Sequence, residues 1–307
     1  MPLETLVEAE LAEPVDPRVS AMAQALAARY GAASRSVLFY GSCLREANLD
    51  GLMLDFYLIV SDYAQAFGKG WLAFANRLIP PNVFPFEHEG LIAKYAVLSE
   101  ADFARLACSA TRNVSVWARF AQPSRLVWAA DDKARAHSVA AVAGAAPALL
   151  LAARPILADK LTVEQLWSEA FNLTYAAELR AERKGRATSV VAADPARYRR
   201  FTAPALAAAG LPATISGDRI AFADAPSPTE RAAGAALWRR RRREGKALTI
   251  VRLAKASTTY AGGIDYLAWK INRHAGAAIE IRPWQRRWPI LGAISLLPRL
   301  ILRGAVR

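Results

Sequence analysis

The chain has 307 residues, 54% of them hydrophobic and 22% charged, which is enough apolar material for one large or two moderate cores and excludes wholesale disorder. Forty lysines and arginines against 27 aspartates and glutamates give a net charge of +13, so the folded surface should attract phosphate, whether on nucleic acid, nucleotide or anionic lipid. Two cysteines, Cys43 and Cys108, exclude a disulfide framework and a cysteine zinc site and fit a reducing cytoplasm.

The amino terminus, MPLETLVEAELAEP, is acidic and has no basic stretch leading into an apolar one, so no secretory signal is expected there. Residues 1 to about 130 read as mixed helix and strand. RVSAMAQALAARY has helical spacing and leads into the strand SVLFYG; a Gly41-Ser42 turn follows, then the strand LMLDFYLIV and later the strand LIAKYAVLS, Leu91 to Ser99. Glu87, His88 and Glu89 lack a second histidine at metal spacing and read as loop surface with room for a substrate-side role. SVAAVAGAAPALLLAA, Ser138 to Ala153, is uncharged but shorter than the roughly 20 residues of a spanning helix, and Pro147 interrupts it, so a buried helix pair is expected.

Thr162 to Ala181 has the period of one helix, with Val163, Trp167, Ala170, Phe171 and Thr174 on a single face. At 100° per residue Glu178 falls within about 20° of Phe171. A carboxylate on a buried stripe is costly unless paired or metal-bound, so Glu178 is either a ligand or the point where the helix frays into solvent. Arg180 falls on the opposite side. Ala203 to Pro228 reads as short strands and turns around GDRIAFAD. The run Arg239, Arg240, Arg241 and the two arginines after it then read as a charged helix end, followed by a helix or strand, a Gly-Gly turn and another helix. Nucleic acid is the obvious partner for such a run, but no reader motif and no interleaved aromatics accompany it, so an anionic membrane surface fits better; a solvated helix end is the plain alternative. In the tail, Arg299, Arg303 and Arg307 recur every fourth residue around Leu300, Ile301 and Leu302, with Trp284 and Trp288 upstream, the pattern of a basic amphipathic helix lying in the headgroup plane.

One constellation carries chemistry. A strand ends in Gly41-Ser42, and about a dozen residues later a second strand carries a lone acid, Asp55. A glycine lets the backbone turn tightly, and the serine adds an amide and a hydroxyl, a small cradle for an anion. If the second strand pairs with the first, Asp55 reaches the same place and can hold the hard cation that bridges phosphate oxygens. Lys94 interrupts an apolar strand and could reach the same phosphates, or could simply face outward.

Gly41, Ser42 and Asp55 resemble the signature of the nucleotidyltransferase superfamily, with Tyr57 where a second metal carboxylate is usual. FYGSCLREANLDGLMLDFYLIVSD, LIAKYAVLS, ARFAQPSRLV and NLTYAAELRAE, in this order, and more faintly VRLAKASTTYAGG, resemble the mitochondrial-type phosphatidate cytidylyltransferase family, the translocator assembly and maintenance type of CDP-diacylglycerol synthase. Cys43 replaces the second glycine of that family's turn, and AAELR stands for its Gly-Asp-x-Arg. The resemblance implies an α+β chain: a nucleotidyltransferase mixed sheet over 1–134, a mainly helical, winged-helix-like region over 135–270, and a membrane-surface tail over 271–307. It implies CTP and phosphatidic acid as substrates and magnesium as cofactor. Tyr40, Gly41, Ser42, Arg45 and Lys94 would bind the nucleotide, Asp55 and Glu178 would hold the metal, and Asp55, Glu178 and Lys94 would serve catalysis. Arg239, Arg240, Arg241, Trp284, Trp288, Arg299 and Arg303 would meet the substrate membrane, placing the protein peripherally on the inner face of the cell membrane, or on the mitochondrial inner membrane in a eukaryote.

Overall fold

The computed structural model describes residues 1–45, 48–68, 70–109, 111–178, 186–259 and 281–283, with the backbone alone for Arg45, 186–188, 253–254 and 256–259. The amino-terminal part runs α1 (Leu3–Leu11), α2 (Pro17–Ala28), β1 (Ser34–Tyr40), β2 (Met53–Val60), α3 (Tyr63–Ala66), α4 (Gly70–Leu78), β3 (Asn82–His88), β4 (Leu91–Ser99), α5 (Glu100–Leu106), α6 (Ser115–Phe120) and β5 (Ser124–Ala129). The remainder runs α7 (Asp132–Ala153), β6 (Lys160–Thr162), α8 (Val163–Ala176), α9 (Arg186–Ala192), α10 (Pro195–Ala208), β7 (Ala213–Ser216), β8 (Arg219–Phe222) and α11 (Pro228–Thr259).

The architecture is α+β, built on a mixed sheet. Its strands lie in the order β3-β4-β2-β1-β5, with β2 and β4 parallel and the other pairs antiparallel. Alternation along β2 divides its side chains between two cores. Leu54, Phe56, Leu58 and Val60 pack with Val19, Met22, Ala23 and Leu26 of α2. Tyr57 and Ile59 face the opposite core, with Leu6 of α1, Phe103 of α5, Trp117 and Phe120 of α6 and Leu149 of α7. Each such large side chain removed from water contributes roughly 1.5–3 kcal/mol, so both faces of the strand are fixed and its register cannot slip. Asp55 shares the alternation of Tyr57 and Ile59 but lies nearer the start of the strand, where its side chain is about one-fifth exposed.

Local signals fix the helices. Asp16 caps α2 by accepting from the Arg18 amide, with Pro17 at the first helical position. Thr162 and Gln165 form a reciprocal capping box at the start of α8. A second, three-stranded antiparallel sheet, β6-β8-β7, lies among the helices of the later part. The second core cluster runs without a break from Leu3 to Trp238, and a buried pair joins Glu10 of α1 to Arg197 of α10, with Arg197 Nη2 donating at 3.0 Å.

Several sequence expectations need correction. Ser138–Ala153 is not a helix pair: α7 runs 22 residues straight through Pro147, whose ring requires only that one carbonyl a turn earlier give up its hydrogen bond. At that length α7 is, among the described residues, a helix long and apolar enough to cross a membrane, although over half of its most apolar window is buried against the rest of the chain. The helix expected to reach Ala181 ends at Ala176. The arginine run is not a helix end, since it lies within the 32-residue α11. Glu87 and His88 belong to β3, with Glu89 at positive φ in the turn to β4.

Candidate active site

The sheet register assembles the first three residues. Tyr40 of β1 stands opposite Asp55 of β2, and Asp55 stands beside Lys94 of β4, so one row across three strands carries a phenol, a carboxylate and an ammonium. Lys94 Nζ lies 2.8 Å from Asp55 Oδ1, both groups being partly exposed. Lys94 therefore turns inward to the acid instead of outward. Beyond Tyr40 the chain turns at Gly41, whose φ of +98° lies in the left-handed region. A Cβ at Gly41 would come within 3.2 Å of Asp55 Oδ2, so the turn and the acid share one small space. Ser42 follows, exposed, in a single turn of 3-10 helix that reaches Arg45, of which only the backbone is described. Cys43, buried, ties this turn to the start of β2 by donating from Sγ to the Met53 carbonyl at 3.5 Å.

Behind this row lies a cationic cluster that sequence reasoning missed. Tyr57 is buried, and its hydroxyl accepts from Arg119 Nη1 of α6 at 3.0 Å. The Arg119 guanidinium also lies over the Tyr40 ring, 5.1 Å from its centroid. Burial opposes its charged form, yet Tyr40, Tyr57, Glu178 and Asp55 together hold its pKa well above the usual guanidinium range. Arg119 therefore bridges electrostatically between the two acids. Glu178 stands two residues past the end of α8, half-buried, where the backbone has left the helix. The buried stripe Val163, Trp167, Ala170, Phe171 and Thr174 is as the spacing predicts.

Two more cations come from α11. Arg252 donates to the Ser115 hydroxyl at 2.8 Å and, through Nε, to the Pro80 carbonyl at 2.9 Å. Burial lowers its pKa, partly offset by Tyr57 and Glu178 and deepened by Arg119. Lys255 donates to the carbonyls of Ile79 and of Pro81, the latter at 2.9 Å. Burial, with Arg252 beside it, pushes the Lys255 ammonium down to about 7. A sequence signal did exist: Trp238, Arg241, Gly245, Leu248, Arg252 and Lys255 alternate steps of three and four, one face of a helix, with basic residues at positions that should be buried.

This depression has a consequence for stability. Below about pH 7 the folded and unfolded chains both hold the Lys255 proton and the burial penalty is fully present. Between about 7 and its ordinary 10.5 the unfolded chain binds the extra proton, so this group makes stability rise with pH. Lys255→Met is expected to flatten that rise, read as the difference between the Tm-against-pH curves of the two proteins from pH 6.5 to 9.5. Parallel curves would remove Lys255 from the account.

Of the proposed membrane-facing arginines, Arg239 and Arg240 are exposed, Arg240 pairing with Glu244 at 2.6 Å. Arg241 is not at the surface; it is buried, because its place on the 3-4 stripe turns it under α11 onto Trp238 and Trp117. Arg180, Trp284, Trp288, Arg299 and Arg303 lie outside the described residues. A cavity of about 480 Å³ is an apolar space between the end of α7 and the start of α11 and is lined by none of the residues of the Asp55 row. Among the described residues no group of three His, Cys, Asp or Glu could cage a metal. Magnesium does not require one: it keeps several waters and is commonly held by one or two carboxylates together with substrate phosphates. Asp55 and Glu178, hard oxygen donors that both act on the charge of Arg119, have the chemistry for that role. No family model and no curated protein matches the chain.

Proposed function

We propose that the chain is a phosphatidate cytidylyltransferase that transfers CMP from CTP to phosphatidic acid and releases pyrophosphate. The observation that carries this reading is Asp55, with its carboxylate over the left-handed Gly41 turn, Lys94 at 2.8 Å and Arg119 behind it. In the reaction a phosphate oxygen of the acceptor bonds to the α-phosphorus of CTP while the bond from that phosphorus to the bridging oxygen breaks, and the electron pair leaves with pyrophosphate. Such a transfer needs little covalent help from the protein and much positioning and charge neutralisation. The Gly41-Ser42 turn suits the anion, with Tyr40 and Arg45 beside it, and Lys94, Arg119 and Arg252 are placed to balance phosphate charge. Magnesium held by Asp55 and Glu178 would neutralise the phosphate oxygens. Both substrates are polyanions, which suits a site with this excess of cations.

The acceptor class rests on the ordered motifs, and a peripheral position on the inner face of the cell membrane follows from it, because a diacyl lipid does not leave the bilayer. Two surface features support that position. Arg239, Arg240, Arg242 and Arg243 are exposed along α11, and each basic residue near an anionic surface contributes about 1 kcal/mol. On α4 the exposed side chains Trp71, Phe74 and Leu78 form an apolar stripe at i, i+3 and i+7, with Arg77 beside it.

The test is transfer of label from α-³²P-CTP to vesicles containing phosphatidic acid, with magnesium. CDP-diacylglycerol is the expected product. Label on RNA or a soluble sugar phosphate, with none on lipid, would replace this reading by a transferase for that acceptor.

A further inference from the structure

Arg241 is 5% exposed, and its Nε and Nη1 have no hydrogen-bond partner among the described residues. Its guanidinium stacks near the Trp238 ring, 4.8 Å from the centroid, and more distantly on Trp117. Stacking compensates the flat faces of the ion but not the N–H groups at its edge, and a buried donor left without an acceptor is costly. Burial accordingly lowers its pKa. The side chain borders a cavity of about 80 Å³ lined also by Arg112, Ser115, Glu178 and Glu244. At roughly 10–15 Å³ per water this space takes about five waters, and so the four oxygens of one phosphate group.

The charges around the cavity are unevenly matched. Glu244 is engaged by Arg240 at 2.6 Å and by Arg112 at 3.5 Å. Glu178 faces Arg119 and Arg252. Arg241 has neither acid to itself, so the cavity retains a buried positive charge with two donors. We propose that this cavity is the subsite for the phosphate monoester of the acceptor, the dianion accepting from Arg241, with Arg112 and the Ser115 hydroxyl at its border. The assignment rests on the transferase reading and deepens it. Glu178 lines this cavity and, with Asp55, acts on the charge of Arg119, so the cavity shares one electrostatic cluster with the Asp55 row, none of whose residues lines it. A guanidinium edge suits such a ligand because its parallel N–H groups match two oxygens of one phosphate.

The test uses Arg241→Met, which keeps apolar contact with the tryptophans and removes the donors, and Arg112→Ala at the border as a second variant should the first not fold. In the lipid assay kcat/KM for phosphatidic acid is expected to fall at least tenfold, with KM for CTP unchanged; an unchanged KM for phosphatidic acid in both variants overturns the proposal. Binding is read separately, without turnover. Inorganic phosphate at millimolar concentration should raise the Tm of the wild type and not of Arg241→Met, and vesicles with phosphatidic acid, but not with phosphatidylcholine alone, should compete for that protection. Protection by inorganic phosphate that such vesicles fail to displace marks a site for free phosphate and overturns the acceptor assignment. Equal protection of wild type and variant also overturns it. Should the wild type transfer nothing to lipid, loss of phosphate protection in Arg241→Met still upholds the subsite while the transferase reading fails, so the two failures are distinguishable.

Discussion

Asp55→Asn is expected to lower kcat for CMP transfer by about a thousandfold or more while moving Tm by only a few degrees. The two effects differ because the carboxylate does different things in the two balances. Structurally it is one half of an ion pair with Lys94, each side chain between a fifth and about a quarter exposed. A pair in so wet a setting contributes about 1 kcal/mol, and asparagine keeps the shape and can still accept from the ammonium. Chemically, Asp55 supplies the negative charge that faces the Gly41 turn and, through Arg119, the second acid. A thousandfold in rate is about 4 kcal/mol, several times the structural term. The comparison needs a labelled-CTP assay and a thermal melt on the same preparations. Activity above a tenth of wild type in a folded variant would remove Asp55 from the chemistry, and a collapse of Tm would make it a structural residue instead.

What could be read from sequence divides along physical lines. The strands β1, β2 and β4 were legible because each carries a short apolar run that includes β-branched and aromatic residues, and the pairing of β1 with β2 follows from their short connection. From these alone Gly41, Asp55 and Lys94 come together. β3 was not legible: Pro85 interrupts it and its residues alternate poorly, which only an edge strand tolerates. Arg119 gives no local signal, since its meaning lies in Tyr57, 62 positions away in the chain. Helical period carries the buried stripe of α8 on to Glu178, but the period cannot show that the helix stops at Ala176. The arginine run misled for the opposite reason. Five consecutive like charges read as one positive surface patch, whereas a helix distributes them around its circumference, and Arg241 falls on the side occupied by Trp238.

Gly245→Ala is expected to destabilise the chain and to disable the site together. In an open helix this substitution would help by about 1 kcal/mol, because alanine is the better helix former. Here α11 crosses the end of α8 so closely that a Cβ on Gly245 would stand 2.1 Å from the Ala177 carbonyl oxygen and 3.2 Å from its carbon. Those are backbone atoms and cannot rotate aside, so one helix must move. Overpacking of this kind typically costs 1–3 kcal/mol and at a backbone contact belongs at the upper end, which outweighs the propensity gain; a fall in Tm of about 4 °C or more follows. The displaced carbonyl immediately precedes Glu178, so the acid facing Arg119 and Arg252 shifts with it. Gly234→Ala on the same helix makes a matched control: its Cβ would meet the Pro155 ring at 2.4 Å, beside the apolar cavity and away from the Asp55 row. Both variants should lose stability, but only Gly245→Ala should also lose specific activity per folded molecule, measured well below either Tm. Equal specific activities would show that α11 supports the fold without positioning Glu178.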